Sequence, residues 1–148
     1  MNQYISYNSI YHTLICRQCG YAIPQDWIMR HFRQFHKTIP LSTRQDIINY
    51  GLSLDLWQPS QVNEQWQNMN TKSPVDGLTI CLGFQCQYND CMKYTRTEVS
   101  IKQHCRESHS WVAKDGITWI KQQLQSFFGG PHVKYVYLTT ILILDFSL

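Results

Sequence analysis

The chain has 148 residues, and its 13 basic and 10 acidic side chains give a formal net charge of only +3. This near balance excludes the strong basic bias of a dedicated nucleic-acid-binding domain. The length suits one ordinary domain or a pair of small modules joined by a linker. The composition favours the pair, because modules under about 30 residues bury little apolar surface and need metal, disulfides or a partner to fold.

The ends of the chain and its cysteines indicate a compartment. Residues 1–14 lack a basic start followed by an apolar core, so we predict no secretory signal. The six cysteines are therefore interpreted as thiols of an intracellular protein. The apolar run 135–148 is shorter than the roughly 20 residues that a membrane span needs. We expect an intracellular protein, nuclear in location, with no membrane partner.

Residues 1–10 show no clear period and are predicted to be a loose lead-in, and a first zinc-finger module is predicted over residues 11–38. A cysteine knuckle ends at Gly20, and Pro24 opens a helix over 25–36. The spacing of the ligands is x2, x11 and x4, one residue short of the usual gap of about twelve between the inner cysteine and the first histidine. The candidate ligands are Cys16, Cys19, His31 and His36.

Residues 39–73 are predicted to form a helix followed by a linker. A capping box at Ser42–Gln45 starts the helix, which continues to Tyr50 and stops at Gly51. Residues 58–74 are rich in Gln, Asn, Ser and Pro, which indicates a solvated linker.

A second module is predicted over residues 74–111. Residues 74–82 read as extended chain, Phe84 precedes the first cysteine by two positions, and Thr95 with Glu98 is predicted to cap the helix. The ligand spacing of x4, x12 and x4 fits a C₂H₂ zinc finger. The candidate ligands are Cys86, Cys91, His104 and His109.

The remaining cysteines and histidines are given ordinary structural roles. Cys105 follows the first zinc histidine where the other module has Phe32, so it is predicted to be a small core residue, with an alternative ligand role left open. Cys81 is not favoured as a ligand, because only Cys86 and Cys91 give the twelve-residue gap to the first histidine. His12 and His132 are predicted to be structural.

Residues 112–148 form a C-terminal extension. Residues 117–128 fit either a helix or a strand, while Val133, Tyr135 and Tyr137 alternate as in a strand. We predict a C-terminal β-hairpin packed on the second finger. The expected fold is therefore a small α+β protein with two metal-stapled ββα modules joined by a helical and irregular linker.

The two ligand sets indicate the chemistry. Two thiolates from a knuckle and two imidazoles from one helix suit tetrahedral zinc, so two zinc ions with a folding role are expected. Protein atoms fill all four positions, which leaves no site for a reactive water. The sequence also lacks a phosphate-binding glycine loop and a nucleophile elbow. We therefore expect no catalysis and no small-molecule substrate.

The motifs resemble a fungal family typified by the orsellinic acid cluster protein, whose module also occurs in RecQ-helicase-like and mobile-element-derived fungal proteins. The resemblance covers residues 11–138 and includes the runs at 15–24 and 74–78. It also includes the second histidine segment, 104–111, and Gln122, Phe127, Phe128 and Tyr135 downstream, but not residues 139–148. It implies paired C₂H₂ fingers, zinc and a fungal origin, and it implies no mechanism.

Two partner classes remain open. The first is DNA or RNA bound through phosphates, because a modest basic face surrounds the two metal helices. Its candidate residues are Arg30, Arg33, Lys93, Arg96, Lys102, Gln103 and Arg106. The base-reading positions of each finger offer only Arg30 and Gln103, so sequence-specific tandem reading is not expected. The alternative is a protein-interaction module that presents Trp27, Trp57, Trp111 and the linker helix to a partner chain.

Overall fold

The computed structural model describes residues 1–69, 72–91 and 93–138. They form two compact units. The first contains residues 1–69, 75–79 and 126–134, and the second contains the described residues of 72–74, 80–125 and 135–138. Each unit carries one of the two candidate ligand sets. The end of the predicted extension, residues 139–148, lies outside the described residues.

The first unit contains a three-stranded antiparallel sheet of order β1-β2-β3. Its strands are β1 (Ile5–Asn8), β2 (Thr13–Cys16) and β3 (Tyr21–Ile23). The prediction of a loose lead-in over residues 1–10 was wrong, because β1 pairs along its whole length with β2. Only Ile5 of that strand is fully buried, so no alternating pattern marks it in the sequence.

Two helices close the core of the first unit against this sheet. A short 3-10 turn, Gln25–Trp27, follows Pro24 and leads into α1 (Ile28–Phe35), as predicted, and α2 (Leu41–Ser53) follows. The core contains residues of the three strands and both helices together with Leu56, namely Ile5, Leu14, Cys16, Ile23, Ile28, Phe32, Ile47, Ile48 and Leu56. A single apolar centre therefore supports the strand and the helix that carry the first ligand set.

The predicted start and end of α2 were wrong. The helix begins at Leu41 after Pro40, without a side-chain cap. Gly51 lies inside the helix, where a Cβ atom would come within 3.0 Å of side-chain carbons of Ile28 and Leu14. The glycine therefore permits the close approach of α2 to its neighbours. It was interpreted as a stop signal because the sequence alone does not show this packing.

The prediction of a solvated linker over residues 58–74 was also wrong for residues 59–68. Pro59–Asn68 forms helix α3, with Pro59 in its first turn. Val62 is fully buried and Trp66 is only 1% exposed. The Trp66 ring centroid lies 4.8 Å from that of Phe127 and 6.5 Å from that of Tyr11. Two apolar side chains among many Gln and Asn residues make too narrow a stripe to be recognised by composition.

The second unit contains a four-stranded antiparallel sheet of order β5-β4-β6-β7. Its strands are β4 (Cys81–Cys86), β5 (Tyr94–Thr95), β6 (Trp119–Gln125) and β7 (Val136–Tyr137). The ambiguity over residues 117–128 is resolved in favour of a strand, and the predicted pairing with the last strand is present. The extended chain predicted over residues 74–82 becomes a strand only from Cys81.

Helix α4 (Glu98–His109) packs on β4 and β5. The Ser100 backbone N–H donates to the Thr97 hydroxyl, so Thr97 caps the helix, and the predicted cap at Thr95 was wrong because that residue belongs to β5. One apolar cluster of this unit contains Cys86, Ile101, Cys105, Trp111 and Trp119, and Leu124, Val136 and Leu138 of the same unit are also buried. Within the described residues, no helix has the length and apolar character needed to cross a bilayer. The small α+β fold with two metal-ligand clusters agrees with the prediction.

Candidate metal centres

The first cysteine pair lies on a tight knuckle between two strands. Cys16 ends β2, and the backbone N–H of Gly20 donates to its carbonyl over 2.8 Å. Gly20 has a φ of +76°, and a Cβ atom there would collide with Oγ1 of Thr79. The knuckle therefore requires glycine at its end, and it directs Cys16 and Cys19 to one side of the turn.

The two histidines of the first module approach these thiols from the end of α1. His31 lies in the helix, whereas His36 follows its last residue and has non-helical dihedral angles, φ −124° and ψ 47°. The helix predicted over 25–36 therefore ends at Phe35, and His36 lies just beyond it. His36 Nε2 lies 3.4 Å from the Sγ atoms of both Cys16 and Cys19. The distance from Cys19 Sγ to His31 Nε2 is 3.7 Å.

These distances match the edges of a metal tetrahedron. With metal bonds of about 2.0 Å to nitrogen and about 2.3 Å to sulfur, as in zinc sites, a sulfur–nitrogen edge is about 3.5 Å long. The three measured sulfur–nitrogen distances, 3.4, 3.4 and 3.7 Å, lie close to this value. The His31 and His36 Nε2 atoms, 2.9 Å apart, are also close enough to share one ion. The donor set therefore fits a tetrahedral metal.

The second module repeats the arrangement with a wider knuckle. The ligand atoms of Cys86, Cys91, His104 and His109 all lie within 4.8 Å of one another, as do those of the first cluster. Cys91 Sγ lies 3.2 Å from His104 Nε2. In the described part of the chain, His109 Nε2 is buried and has no hydrogen-bond partner. A bound cation would satisfy this nitrogen, since a buried polar atom without a partner is costly.

The protonation of the ligands depends strongly on burial. Burial raises the pKa of the Cys16 thiol to about 11 and that of Cys86 to about 12. Burial, with a smaller effect from His36, lowers the pKa of His31 to about 4, and burial also lowers the pKa of His104. The imidazoles of His31 and His104 are thus neutral and ready to coordinate near neutral pH. The thiols lose their protons when a dication offsets the cost of burying thiolates.

Acid should destabilise the first unit through His31. Its pKa is about 4 in the fold and 6.5 ordinarily, so the unfolded chain binds a proton that the folded chain excludes between these values. Stability should therefore fall as the pH drops from about 6.5 to about 4, by on the order of 3 kcal/mol. Competition between protons and metal acts in the same direction. Urea unfolding of the metal-free chain across this range measures the effect of His31, and a level profile would contradict it.

Comparison with known proteins decides the family. A model of the family described as orsellinic acid/F9775 biosynthesis cluster protein D matches residues 3–110. The chain belongs to this family. A protein of that name from Emericella nidulans is 30% identical over 135 residues, which cover 91% of this chain and 26% of the relative. The chain thus spans about a quarter of the length of the curated relative it matches. No solved structure matches it.

All eight candidate ligands lie within the residues matched by the cluster protein D family. The family resemblance predicted from the finger motifs is therefore confirmed. The two remaining cysteines lie outside the ligand groups. Cys105 is fully buried in the core, as predicted, and the Thr118 hydroxyl donates to its sulfur over 3.8 Å. The Cys81 thiol donates to the Leu124 carbonyl over 3.4 Å.

His12 and His132 also lie outside both clusters. Tyr7 Oη lies 3.0 Å from His12 Nδ1, and the His12 ring stacks on Trp57 at a centroid distance of 4.6 Å. His132 is exposed, with its ring 6.2 Å from that of Phe128. Both contacts agree with the structural roles predicted from the sequence.

Three residues that were not predicted from the sequence touch the outer side of the histidines. His36 Nδ1 lies 2.8 Å from Gln18 Oε1, and the rings of Tyr88 and His109 stack at 4.2 Å with an interplanar angle of 11°. Ser108 Oγ lies 3.4 Å from His104 Nδ1. For Gln18 and Tyr88, the only feature of the sequence that indicates this role is position. Each comes two residues after the first cysteine of a knuckle.

The residues predicted to bind nucleic acid lie on or near α1 and α4, and several of them already contact other side chains. Arg30 donates to Gln34 over 3.2 Å and lies 5.3 Å from the centre of the Trp27 ring. Lys102 pairs with Glu98 at 3.3 Å, and Gln103 donates to Glu107 over 3.0 Å. The Arg96 and Arg106 guanidinium groups lie over Tyr135 and Trp111, and Arg33 and Lys93 are exposed.

Proposed function

We propose that this chain is a non-catalytic module stapled by two zinc ions. Each cluster offers two sulfur and two imidazole donors within 4.8 Å of one another, a set that zinc prefers. Because four protein atoms complete the coordination, the metal has no open position at which to activate water. The role of the metal is then to hold each module folded and to fix the surface around it.

Nucleic acid is the partner that we propose for that surface, in the nucleus of the cell. The proposal rests on one observation, which is that the elements carrying the metal ligands also carry exposed cationic side chains. Arg30 and Arg33 are exposed on α1. Arg106 is exposed on α4, and Arg96 is exposed just before that helix begins. Such side chains bind phosphates irrespective of sequence. The pairing of Lys102 with Glu98 reduces the positive charge of α4, so weak binding is expected.

Readout of bases by the second finger is not part of the proposal. In a major-groove finger, Thr97, Ser100 and Gln103 would face the bases. Thr97 caps α4 and donates its hydroxyl to Ser100 over 2.8 Å, while Gln103 donates to Glu107. Binding a base would require these internal bonds to break. The contact is therefore expected to go to the backbone of the nucleic acid.

The affinity of the zinc-loaded chain for a DNA duplex, measured against salt concentration, tests this proposal. Log affinity should fall linearly with log salt, with a slope that decreases by about 1 for each phosphate contact removed. Arg33→Gln and Arg106→Gln should each reduce the slope, whereas Lys114→Gln, in a 3-10 turn outside the metal helices, should not. Absence of binding at low salt would refute the nucleic-acid role.

Protein binding is the second candidate, and α1 favours it. The helix and the turn before it leave Phe35 65% exposed and Trp27 44% exposed. Exposed aromatic side chains of this size are frequent anchors in protein interfaces. Of the other two predicted anchors, Trp57 is half-buried and Trp111 is buried. If the chain does not bind nucleic acid at low salt, the exposed aromatic surface of α1 becomes the leading candidate for a partner-binding site.

A further inference from the structure

The two metal clusters share a feature outside their ligands. In each knuckle, the side chain two positions after the first cysteine contacts the last histidine of the same cluster. Gln18 does so in the first module and Tyr88 in the second. We propose that this knuckle position holds the last histidine in the orientation required by the metal, so that Gln18 and Tyr88 are positioning residues. The inference rests on the proposed binding of zinc.

In the first module, the contact selects a tautomer of His36. Its Nε2 atom faces the cluster, 3.4 Å from both sulfurs and 2.9 Å from His31 Nε2. Its Nδ1 atom faces the Gln18 side-chain oxygen at 2.8 Å. When Nδ1–H donates to this oxygen, the lone pair of Nε2 remains free for the metal. A hydrogen bond to the outer nitrogen also makes the ligand more basic.

His36 has particular need of such support. It follows the last residue of α1 and has non-helical dihedral angles, so the helix does not fix its side chain. His31, in contrast, lies inside the helix and is held between neighbouring rings. The hydrogen bond from the knuckle therefore orients the ligand that the backbone constrains least.

In the second module, ring stacking replaces the hydrogen bond. The Tyr88 ring lies parallel to that of His109, with a centroid distance of 4.2 Å. His109 is the last residue of α4 and is followed by Ser110 in the left-handed region, φ 53°. The stack restrains rotation of the imidazole and shields one of its faces from water. The wider knuckle, with four residues between its cysteines instead of two, provides room for the larger aromatic side chain.

Zinc competition with a chromophoric chelator tests the proposal on the full chain, with release from each cluster assigned by the ring resonances of His36 and His109. Gln18→Ala should weaken the first cluster about 10- to 100-fold and leave the second unchanged. Tyr88→Leu should do the reverse. Gln87→Ala, an exposed neighbour in the second knuckle, is the matched control and should alter neither cluster.

Conservative variants separate positioning from general damage. Gln18→Glu keeps an acceptor for Nδ1–H and should retain affinity, and Tyr88→Phe keeps the stacked ring and should do the same. In the wild-type chain, the His36 Nδ1–H proton should be protected from solvent exchange, and Gln18→Ala should remove this protection. Equal losses at both clusters, or unchanged affinity at the cluster next to the substituted residue, would overturn the proposal. Two zinc ions on the wild-type chain would still support the proposed function, so the two can fail separately.

Discussion

Chelation of the metal is expected to unfold the second unit and to loosen the end of α1 in the first. Zinc binding to a finger is worth roughly 10 kcal/mol or more near neutral pH, as much as the whole stability of many domains. One apolar cluster of the second unit contains the metal ligand Cys86 and also Cys105, the residue that follows the ligand His104. Without the ion, a folded second unit would also leave His109 Nε2 buried without a hydrogen-bond partner. A large loss of helicity by circular dichroism should therefore accompany metal removal.

Native mass spectrometry measures the corresponding stoichiometry. The wild-type chain should carry two zinc ions and none after chelation under reducing conditions. His109→Ala should carry one ion, because it removes a ligand of the second cluster, whereas His132→Ala should still carry two, because His132 lies outside both. Retention of full helicity after chelation, or loss of an ion in His132→Ala, would contradict the assignment.

Truncation of Trp66 to alanine is expected to destabilise the first unit by about 3 to 5 kcal/mol, the usual range for a large buried aromatic. The side chain is 1% exposed and packs edge-to-face on Phe127 at 4.8 Å. Its removal opens a cavity between α3 and the segment 126–134, and the surrounding aromatic rings can collapse only partly. Denaturant unfolding, followed by the remaining tryptophans, should show a lower transition midpoint.

Trp27→Ala provides the matched control, because the same type of residue is 44% exposed there. Its main contact is the Arg30 guanidinium, 5.3 Å from the ring centre. A loss below about 1 kcal/mol is expected for such an exposed contact. If Trp66→Ala were as mild as Trp27→Ala, α3 would not be part of the core.

The ligands could be predicted because each metal set is encoded within one short segment. Two cysteines on a turn and two histidines on the next helix meet through local geometry alone, and their spacing is visible in the chain. The core position of Cys105 followed from the same comparison of the two modules. Gln18 and Tyr88 were missed, because Gln and Tyr are not ligand types and only their contacts with His36 and His109 reveal a role.

The composition of residues 58–74 predicted a solvated linker, yet α3 is buried there. Burial of Trp66 depends on Tyr11 and Phe127, which are remote in the sequence and come together only in the folded unit. The chain also returns to the first unit at residues 126–134, where Phe127 accepts a hydrogen bond from the backbone of Ala22 over 2.6 Å. No local pattern indicates such a return.

The sequence by itself determined the family through motifs along most of the chain. It also determined the two ligand sets and the ββα character of each module, because these depend on spacing within short segments. Only the tertiary structure decided that β1 and α3 belong to the first unit, that β6 and β7 extend the second sheet, and which side chains hold the outer faces of the histidines. The physical reason is the separation along the chain of the residues that interact. Metal ligation selects residues by type and spacing, whereas burial and hydrogen bonding depend on neighbours that the fold alone brings together.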